Sequence, residues 1–234
     1  MHYSSHIQLL RLSKMTSQVA ENFTKYFENW MIQLEELLKQ LVIVPRETSY
    51  VNDHELLVSK MTTHHKNYYT AKWAAAHEDI LAFFTPMWLS PLEIVYSWIT
   101  GWKPSMAFRL VSGGGGAFSD EELKNIDGLR VKIRGEEEKV EREMERQQVA
   151  IGDRKMVELA RIRNDNDELV ELALKGLRMS LERVMKMADC VRLKTLKGLL
   201  EILSPLQSVD FLAAISTIQI QMRKKNELLP NLIS

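Results

Sequence analysis

Cysteine, net charge, strand-like alternation and catalytic motifs are what this chain has least of, and each shortage excludes something. A single cysteine, Cys190, in 234 residues leaves no internal disulfide framework and no cysteine-based zinc site, and it suits a reducing compartment. Lysine plus arginine and aspartate plus glutamate stand at 31 each, so bulk electrostatics would not hold the chain on nucleic acid. Direct nucleic-acid binding is therefore not expected. No Val/Ile/Thr-rich alternating runs are bounded by hairpin turns, which argues against β structure. No charged segment leads into an apolar run at the N-terminus, so secretion is not expected. The most apolar stretch, Ile80 to Trp102, contains Pro86, Pro91 and Glu93. An unbroken spanning helix is not expected there, and the stretch reads as buried core. Met1-His2 does not open a myristoylation site and the C-terminus has no prenylation box.

What is present is helical periodicity in a chain that is 45% hydrophobic, enough for a real core. The first long helix is expected from about Gln8 to Val44. Val19, Phe23, Phe27, Trp30, Leu34, Leu37, Leu38 and Leu41 fall on one face, and Pro45 ends it. Asn52 and Asp53 offer cap oxygens for a second, reaching about Phe84, with Leu57, Met61, Tyr68, Ala75, Ile80 and Phe83 on its buried stripe. Ser90, Pro91 and Glu93 form a capping box with proline at the first helical position, predicting a helix to about Gly101. Pro104-Ser105 starts a short one. Ser119 and Glu122 form a second capping box, opening a charged helix to about Ala150. Its apolar stripe of Leu123, Ile126, Ile133, Val140, Met144 and Ile151 is interrupted by Arg130 and Glu137. Further helices are expected over Arg154–Asn164, Asp167–Leu203 and Val209–Lys225, with Ser204-Pro205 separating the last two. The fold class is all-α, a single bundle of long and short helices over residues 1–234. The four glycines of 113–116 suit either a natural flexible loop or an engineered replacement for a longer one.

Chemistry is hard to find in this pattern. No Gly-Lys-Ser/Thr follows the glycine run, and no His-Glu-x-x-His occurs. His64 and His65 point about 100° apart on a helix, so they do not chelate one metal from a shared face, and His77 does not complete a triad. All three read as structural or surface histidines. Cys190, among Met187, Val191 and Leu193, reads as a buried thiol with no histidine near it in sequence. The charged run Glu136 to Glu143 reads as a solvated helix face. No catalytic, metal or cofactor site is assigned. The aromatic clusters carry more. Tyr68, Tyr69, Lys72 and Trp73 are close on the second helix, and Trp88, Trp98 and Trp102 follow. Such density reads first as core. The second reading is a protein-docking patch or apolar pocket rimmed by Lys72, Lys103 and Arg109.

Two separated boxes carry a family resemblance. Trp88-Leu89-Ser90-Pro91-Leu92-Glu93 is followed by Trp98-Ile99-Thr100-Gly101-Trp102-Lys103-Pro104-Ser105 and then Phe108-Arg109-Leu110-Val111. Near the C-terminus come Ile202-Leu203-Ser204-Pro205-Leu206-Gln207 and Asp210-Phe211-Leu212. Together they resemble the plant delay-of-germination domain, with Thr100 in place of one glycine and Lys103 in place of the usual arginine. The first helix, with Phe27, Trp30 and Leu34, fits the same domain. The resemblance implies that Trp30, Trp88, Ser90, Pro91, Leu92, Glu93, Trp98, Gly101, Pro104 and Ser105 are mainly structural.

Three branches of that family differ in role. TGA-type basic-zipper factors carry the domain behind a zipper, and no basic region precedes Gln18 here. The seed-dormancy regulators are linked to phosphatase binding and haem. Their haem-associated histidine pair corresponds to Gln219 and Arg223, and of their phosphatase-binding segment, matched to residues 25–30, only Trp30 is kept. The inaperturate-pollen proteins are most similar at His64–Tyr69, Ala71–Ala75 and Asp153–Arg161. Resemblance to that branch implies a non-enzymatic adaptor at plasma-membrane domains of the microspore where exine is not deposited. It would act with kinase-type or other aperture-factor partners, reach the membrane peripherally through them, and lie in the cytoplasm or at the membrane periphery, with a nuclear pool left open. The rival readings are a seed-dormancy-type regulator binding protein phosphatases and an apolar-ligand sensor. Because glutamine and arginine cannot serve as a histidine pair, hemin titration should give no sharp low-spin Soret band that depends on residues 215–225.

Overall fold

A computed structural model describes residues 3–111, 118–151 and 167–228, with side chains over 18–111, 118–150 and 171–225. The described residues are helical, with no strand among them. The glycine run of 113–116, the helix expected over Arg154–Asn164 and the stretch Asp153–Arg161 lie outside them. Four long helices set the frame: α1 (Tyr3–Ile43), α2 (Val51–Glu78), α6 (Asp120–Ile151) and α7 (Asp167–Ile202). The last helix, α8, runs Pro205–Leu228. Three short ones lie between α2 and α6: α3 (Leu81–Phe84), α4 (Pro91–Val95) and α5 (Ala107–Val111).

The long helices bury most of the stripe their sequence provides. On α1, Phe23, Phe27, Trp30, Leu34 and Leu41 are buried, and the aromatic members meet α2, where Trp30 stacks on His64 at 4.7 Å. α1 and α2 run antiparallel, since Phe23 meets Tyr68 while Trp30 meets His64. α8 crosses the same layer in the opposite sense to α1, with Arg46–Asp210 and Glu35–Lys224 ion pairs marking its register. α6 and α7 form an antiparallel pair, pinned at one end by Gly198, where an added Cβ would sit 2.8 Å from Leu129 Cδ2. One hydrophobic cluster joins residues of α1, α2, α6, α7 and α8.

The departures from the sequence reading have local causes. The second helix stops at Glu78 because Asp79 is extended (φ −145°, ψ 91°) and its Oδ1 accepts from the Leu81 amide at 3.1 Å, starting α3 as a separate turn. The capping box of Ser90 and Glu93 is formed in both directions, yet α4 ends at Val95, well short of Gly101, because residues 98–102 are drawn into a loop. The Ser119–Glu122 box is also formed, at 3.2 and 2.7 Å. A third box was missed. Gln207 N donates to Ser204 Oγ at 3.3 Å and Ser204 N to Gln207 Oε1 at 2.7 Å, so α8 starts at Pro205, four residues before the expected Val209, by the same Ser-Pro-x-Glu/Gln logic as α4. On α6, Leu123 is exposed, whereas Ile126, Ile133 and Val140 are buried. Glu137 does not break the stripe. It is buried and accepts from the Ser105 amide at 2.6 Å, capping the 3-10 turn Pro104–Met106.

The buried face of α2 is unusually polar: His54, His64, His65 and Lys72 all point inward. His54 Nε2 lies 2.7 Å from the Pro45 carbonyl oxygen. The His64 and His65 Nε2 atoms are buried without a partner among the described residues. Burial, reinforced by the neighbouring His64, lowers the His65 imidazole from 6.5 to about 4. A base depressed in the folded state is neutral in both states above about pH 6.5. Below that, only the unfolded chain takes the proton, so stability is lost as pH falls from 6.5 toward 4. The loss should be on the order of 3 kcal/mol, read as a falling melting temperature between those pH values. His65→Phe, which keeps a ring in the same space, should flatten that part of the profile relative to the unmutated chain.

Candidate functional site

The segment that ends α4 early is the part of the chain with the most directed polar chemistry. Asp189 on α7 is fully buried, and three donors converge on it. Lys72 Nζ donates to its Oδ1 at 2.9 Å, Arg192 Nη1 to the same oxygen at 2.6 Å, and Trp73 Nε1 to Oδ2 at 3.0 Å. Two cations and one carboxylate would leave a surplus positive charge in the core. The loop 98–102 answers it with backbone carbonyls. Arg192 Nη2 donates to the Trp98 carbonyl and, at 2.8 Å, to that of Ile99, while its Nε donates to the Trp102 carbonyl at 2.7 Å. Lys72 Nζ donates to the Thr100 carbonyl at 2.9 Å and to Thr100 Oγ1 at 3.0 Å. All three ammonium donors of Lys72 are thereby used.

Turning four carbonyls toward two cations fixes the loop's dihedrals. Ile99 and Thr100 adopt positive φ, 40° and 59°, a region that costs non-glycine residues about 1–3 kcal/mol. The one remaining carbonyl of the loop, that of Gly101, accepts from the Trp98 amide at 2.6 Å. Gly101 is favoured for a different reason: a Cβ there would lie 3.0 Å from Arg192 Cζ, a tight contact with a pinned side chain. The Trp98 ring is held between the Lys103 and Arg192 cations, at 5.8 and 5.4 Å from its centre. Its Nε1 donates to Glu141 Oε1 at 2.8 Å, which Lys103 Nζ also reaches at 2.9 Å. The Lys103 hydrogen bond is the main reason the Glu141 carboxyl titrates below its ordinary range.

A second knot holds the first box. Trp88 is buried against Phe23 and Phe83, at 4.7 and 5.0 Å between ring centres. Arg223 on α8 donates to the Trp88 carbonyl at 3.0 Å, lies 3.9 Å from Glu93 and sits over the Phe27 ring at 5.1 Å. The position matched to a family histidine thus carries an arginine that ties α8 to the Trp88–Glu93 box and to α1.

These placements sort the residues singled out from sequence. Trp30, Trp88, Glu93 and Pro104 are buried, Ser90, Leu92, Trp98, Gly101 and Ser105 are half-buried, and Pro91 is exposed at the start of α4. Of the proposed docking residues, Tyr69 and Lys72 are buried and Tyr68, Trp73 and Lys103 are half-buried, while Arg109 alone is fully on the surface. Lys72 cannot rim a docking patch, because its side chain is 1% exposed and its charge is spent on Asp189. Burial lowers its ammonium to about 8, and the Asp189 carboxylate holds it from falling further. Cys190 also departs from expectation: it is exposed, on the side of α7 turned away from buried Asp189 and Val191. Burial of neighbouring surface pushes its thiol upward. Among the described residues no group of three His, Cys, Asp or Glu side chains could hold a metal ion, and no helix is long and apolar enough to cross a membrane. Sequence reasoning missed Asp189, Arg192, Glu141 and Arg223. Asp189 and Arg192 carry no local signal, Glu141 sits in the run read as a solvated face, and Arg223 stands where the family has a histidine, while their partners are up to 135 residues away.

A family model described as DOG1, seed dormancy control, matches residues 33–112, from the second half of α1 through α5. Protein DOG1-like 4 of Arabidopsis thaliana is 52% identical over 222 residues, covering 91% of this chain and 95% of that protein. Protein ZW2 of the same plant is 28% identical over 87% of this chain and 96% of its own length. Rice transcription factor TGAL1 is 23% identical over 88% of this chain, which spans 45% of that protein. None of these three is named for pollen apertures, and the finer resemblance to the inaperturate-pollen branch finds no support in them.

The buried network predicts opposite outcomes for two lysines. Asp189→Ala leaves Lys72 and Arg192 uncompensated in the core and should destabilise by about 3–5 kcal/mol. Lys72→Glu sets a second carboxylate against Asp189 and should yield no soluble protein. Lys103→Ala removes a pair that is 38% and 40% exposed and should cost about 1 kcal/mol or less. Thermal melts of the three variants check the order.

Proposed function

We propose, for a chain that belongs to the DOG1 family of seed dormancy control, the role of a non-enzymatic regulator in seeds that works by binding other proteins. The observation that carries this reading is the 52% identity to a DOG1-like protein across nearly the whole of both chains. A match of that extent includes both boxes and every long helix of the frame. The geometry adds a second support. The charged side chains gathered at the most polar part of the core are consumed by one another and by loop carbonyls, so they stiffen a body and do not present a reacting group. A stiff helical body with its polar capacity spent internally suits a protein that acts through its surface.

Of the three stretches that imply a pollen-aperture role, Asp153–Arg161 lies outside the described residues, and His64–Tyr69 and Ala71–Ala75 include several interior residues. His64, His65, Tyr69 and Lys72 are buried, and core residues report packing more than partner choice. The phosphatase-binding segment of dormancy regulators is matched here by residues whose retained tryptophan, Trp30, is buried and stacked on His64. Lys25, Glu28 and Asn29 of that segment are exposed but differ from the residues of the dormancy regulators, so partner contact is assigned to another face.

The test is deletion of this gene in its source plant, with germination of freshly harvested seeds and pollen aperture number scored side by side. Altered seed germination with normal apertures, restored by the unmutated gene, is expected. Missing apertures with normal seeds would return the chain to the pollen branch.

A further inference from the structure

A groove of about 920 Å³ runs along α7, walled by the C-terminal end of α2 and by α6. None of its lining residues belongs to the loop 98–102 or to either sequence box. Six lysine and arginine side chains line it against three carboxylates, in a chain whose total charge is zero. Two of those carboxylates are already engaged. Glu136 pairs with Lys139 and Lys194, at 2.8 and 3.5 Å, and Glu182 with Lys186 at 2.6 Å and His77 at 3.3 Å. Lys175, Arg178 and Arg183 have no carboxylate partner among the described residues, and all three are exposed. Lys175 and Arg178 stand three residues apart on one helix face, where like charges repel. An incoming anion would relieve that repulsion.

The shape narrows what the anion is. From Lys175 to Lys194 the lined face of α7 extends about 28 Å at the rise of an α-helix. That matches about eight residues of extended chain and is too long for one small anion. The floor is apolar: Val140 and Val191 are buried beneath it, Met187 is half-buried and Met179 is 62% exposed. Methionine side chains adapt to varied apolar partners. No phenylalanine, tyrosine or tryptophan lines the groove among the described residues, so it has no stacking platform of the kind that single-stranded nucleic acid uses. Cationic walls over an aliphatic and methionine floor suit a peptide that alternates carboxylates with aliphatic side chains.

The geometry points to this groove as the docking site for an acidic, leucine-containing segment of a protein partner. The inference deepens the reading of the chain as a binding regulator and rests on it. Arg178 and Arg183 carry the contact as free guanidiniums that can take carboxylates in bidentate fashion, while Met179 and Met187 receive the apolar side chains between them.

Fluorescence anisotropy tests it with the full chain and three labelled probes: a twelve-residue peptide of glutamate and leucine, the same peptide with lysine for glutamate, and a twelve-nucleotide single-stranded DNA. The acidic peptide should bind, the lysine peptide should not, and 0.5 M salt should weaken the acidic complex. Arg178→Glu with Arg183→Glu should weaken it at least tenfold, while Lys25→Glu with Lys66→Glu, exposed cations of α1 and α2, should leave it unchanged. Lys175→Glu supplies a second groove variant should the double one lose its cooperative melt. Failure of the unmutated chain to bind the acidic peptide overturns the proposal, as does equal binding by the groove variants or tighter binding of the DNA. The regulator reading fails separately. If seeds lacking the gene are restored fully by the Arg178→Glu/Arg183→Glu form, the groove is dismissed and the regulator stands. If deletion leaves seeds unchanged, the regulator reading itself falls.

Discussion

Burying the carboxylate of Asp189 between Lys72 and Arg192 is the constraint on which the rest of the structure turns. Ions in a core are costly unless their hydrogen-bonding capacity is filled. One carboxylate cannot fill that of two cations, and the chain completes the set with the carbonyls of Trp98, Ile99, Thr100 and Trp102. That requirement shapes the loop, and the loop in turn ends α4, places Trp98 on Glu141 and sets the 3-10 turn against Glu137. Three helices that are far apart in sequence are thereby fixed to one another: α2 through Lys72 and Trp73, α7 through Asp189 and Arg192, and α6 through Glu137 and Glu141. Hydrophobic burial drives the helices together, while this network specifies their register.

The same network accounts for the family pattern at the second box. A glycine stands in the pattern where this chain has Thr100, and the backbone there has φ of 59°, the left-handed conformation that glycine adopts without strain. Threonine bears that strain, and its Oγ1 accepts from Lys72 at 3.0 Å, an interaction glycine could not offer. Gly101 has less latitude, because a Cβ would press on the Arg192 guanidinium at 3.0–3.2 Å and that group is pinned by loop carbonyls. At Lys103 the usual arginine is replaced by a lysine that still reaches Glu141 and the Trp98 ring. The two departures therefore preserve the loop by different means, one by a compensating hydroxyl and the other by a cation of similar reach.

How far all this could be read from sequence follows the range of the interactions. The stripe from Phe23 to Leu41, the Ser90 and Ser119 capping boxes and the proline stops are local, decided within a few residues, and they appear in the structure where the pattern puts them. The Ser204–Gln207 box is equally local, but a proline after a capping serine reads as a break as readily as the first residue of a helix. Asp189, Arg192 and Arg223 belong to another class. On α7 and α8 they look like ordinary charged residues, and nothing within ten positions distinguishes them from Arg183 or Lys194, which face solvent. Their role depends on Lys72, 117 residues from Asp189, and on Trp88, 135 residues from Arg223. Lys72 reads as a rim residue for the same reason: its helical neighbours are aromatic, and the carboxylate that turns it inward lies 117 residues away on α7.

Neutral overall charge conceals an uneven distribution of it. Inside, the surplus cation of the Asp189 network is solvated by loop carbonyls; along the groove of α7, Lys175, Arg178 and Arg183 have no carboxylate partner among the described residues. Asp189 and Arg192 are buried in the core, while Arg178, Arg183 and Lys186, nearer the N-terminus of the same helix, line the groove. The network anchors α7 at Asp189 and Arg192, and the groove's cations are carried on that same helix. Recognition by such a surface is governed by charge pattern, which sets encounter rate and selectivity, and by the methionine floor, which supplies apolar burial without demanding one shape. The interior network and the exterior groove are two consequences of the same helix: the first fixes its position, and that fixed position makes the second a surface with defined geometry.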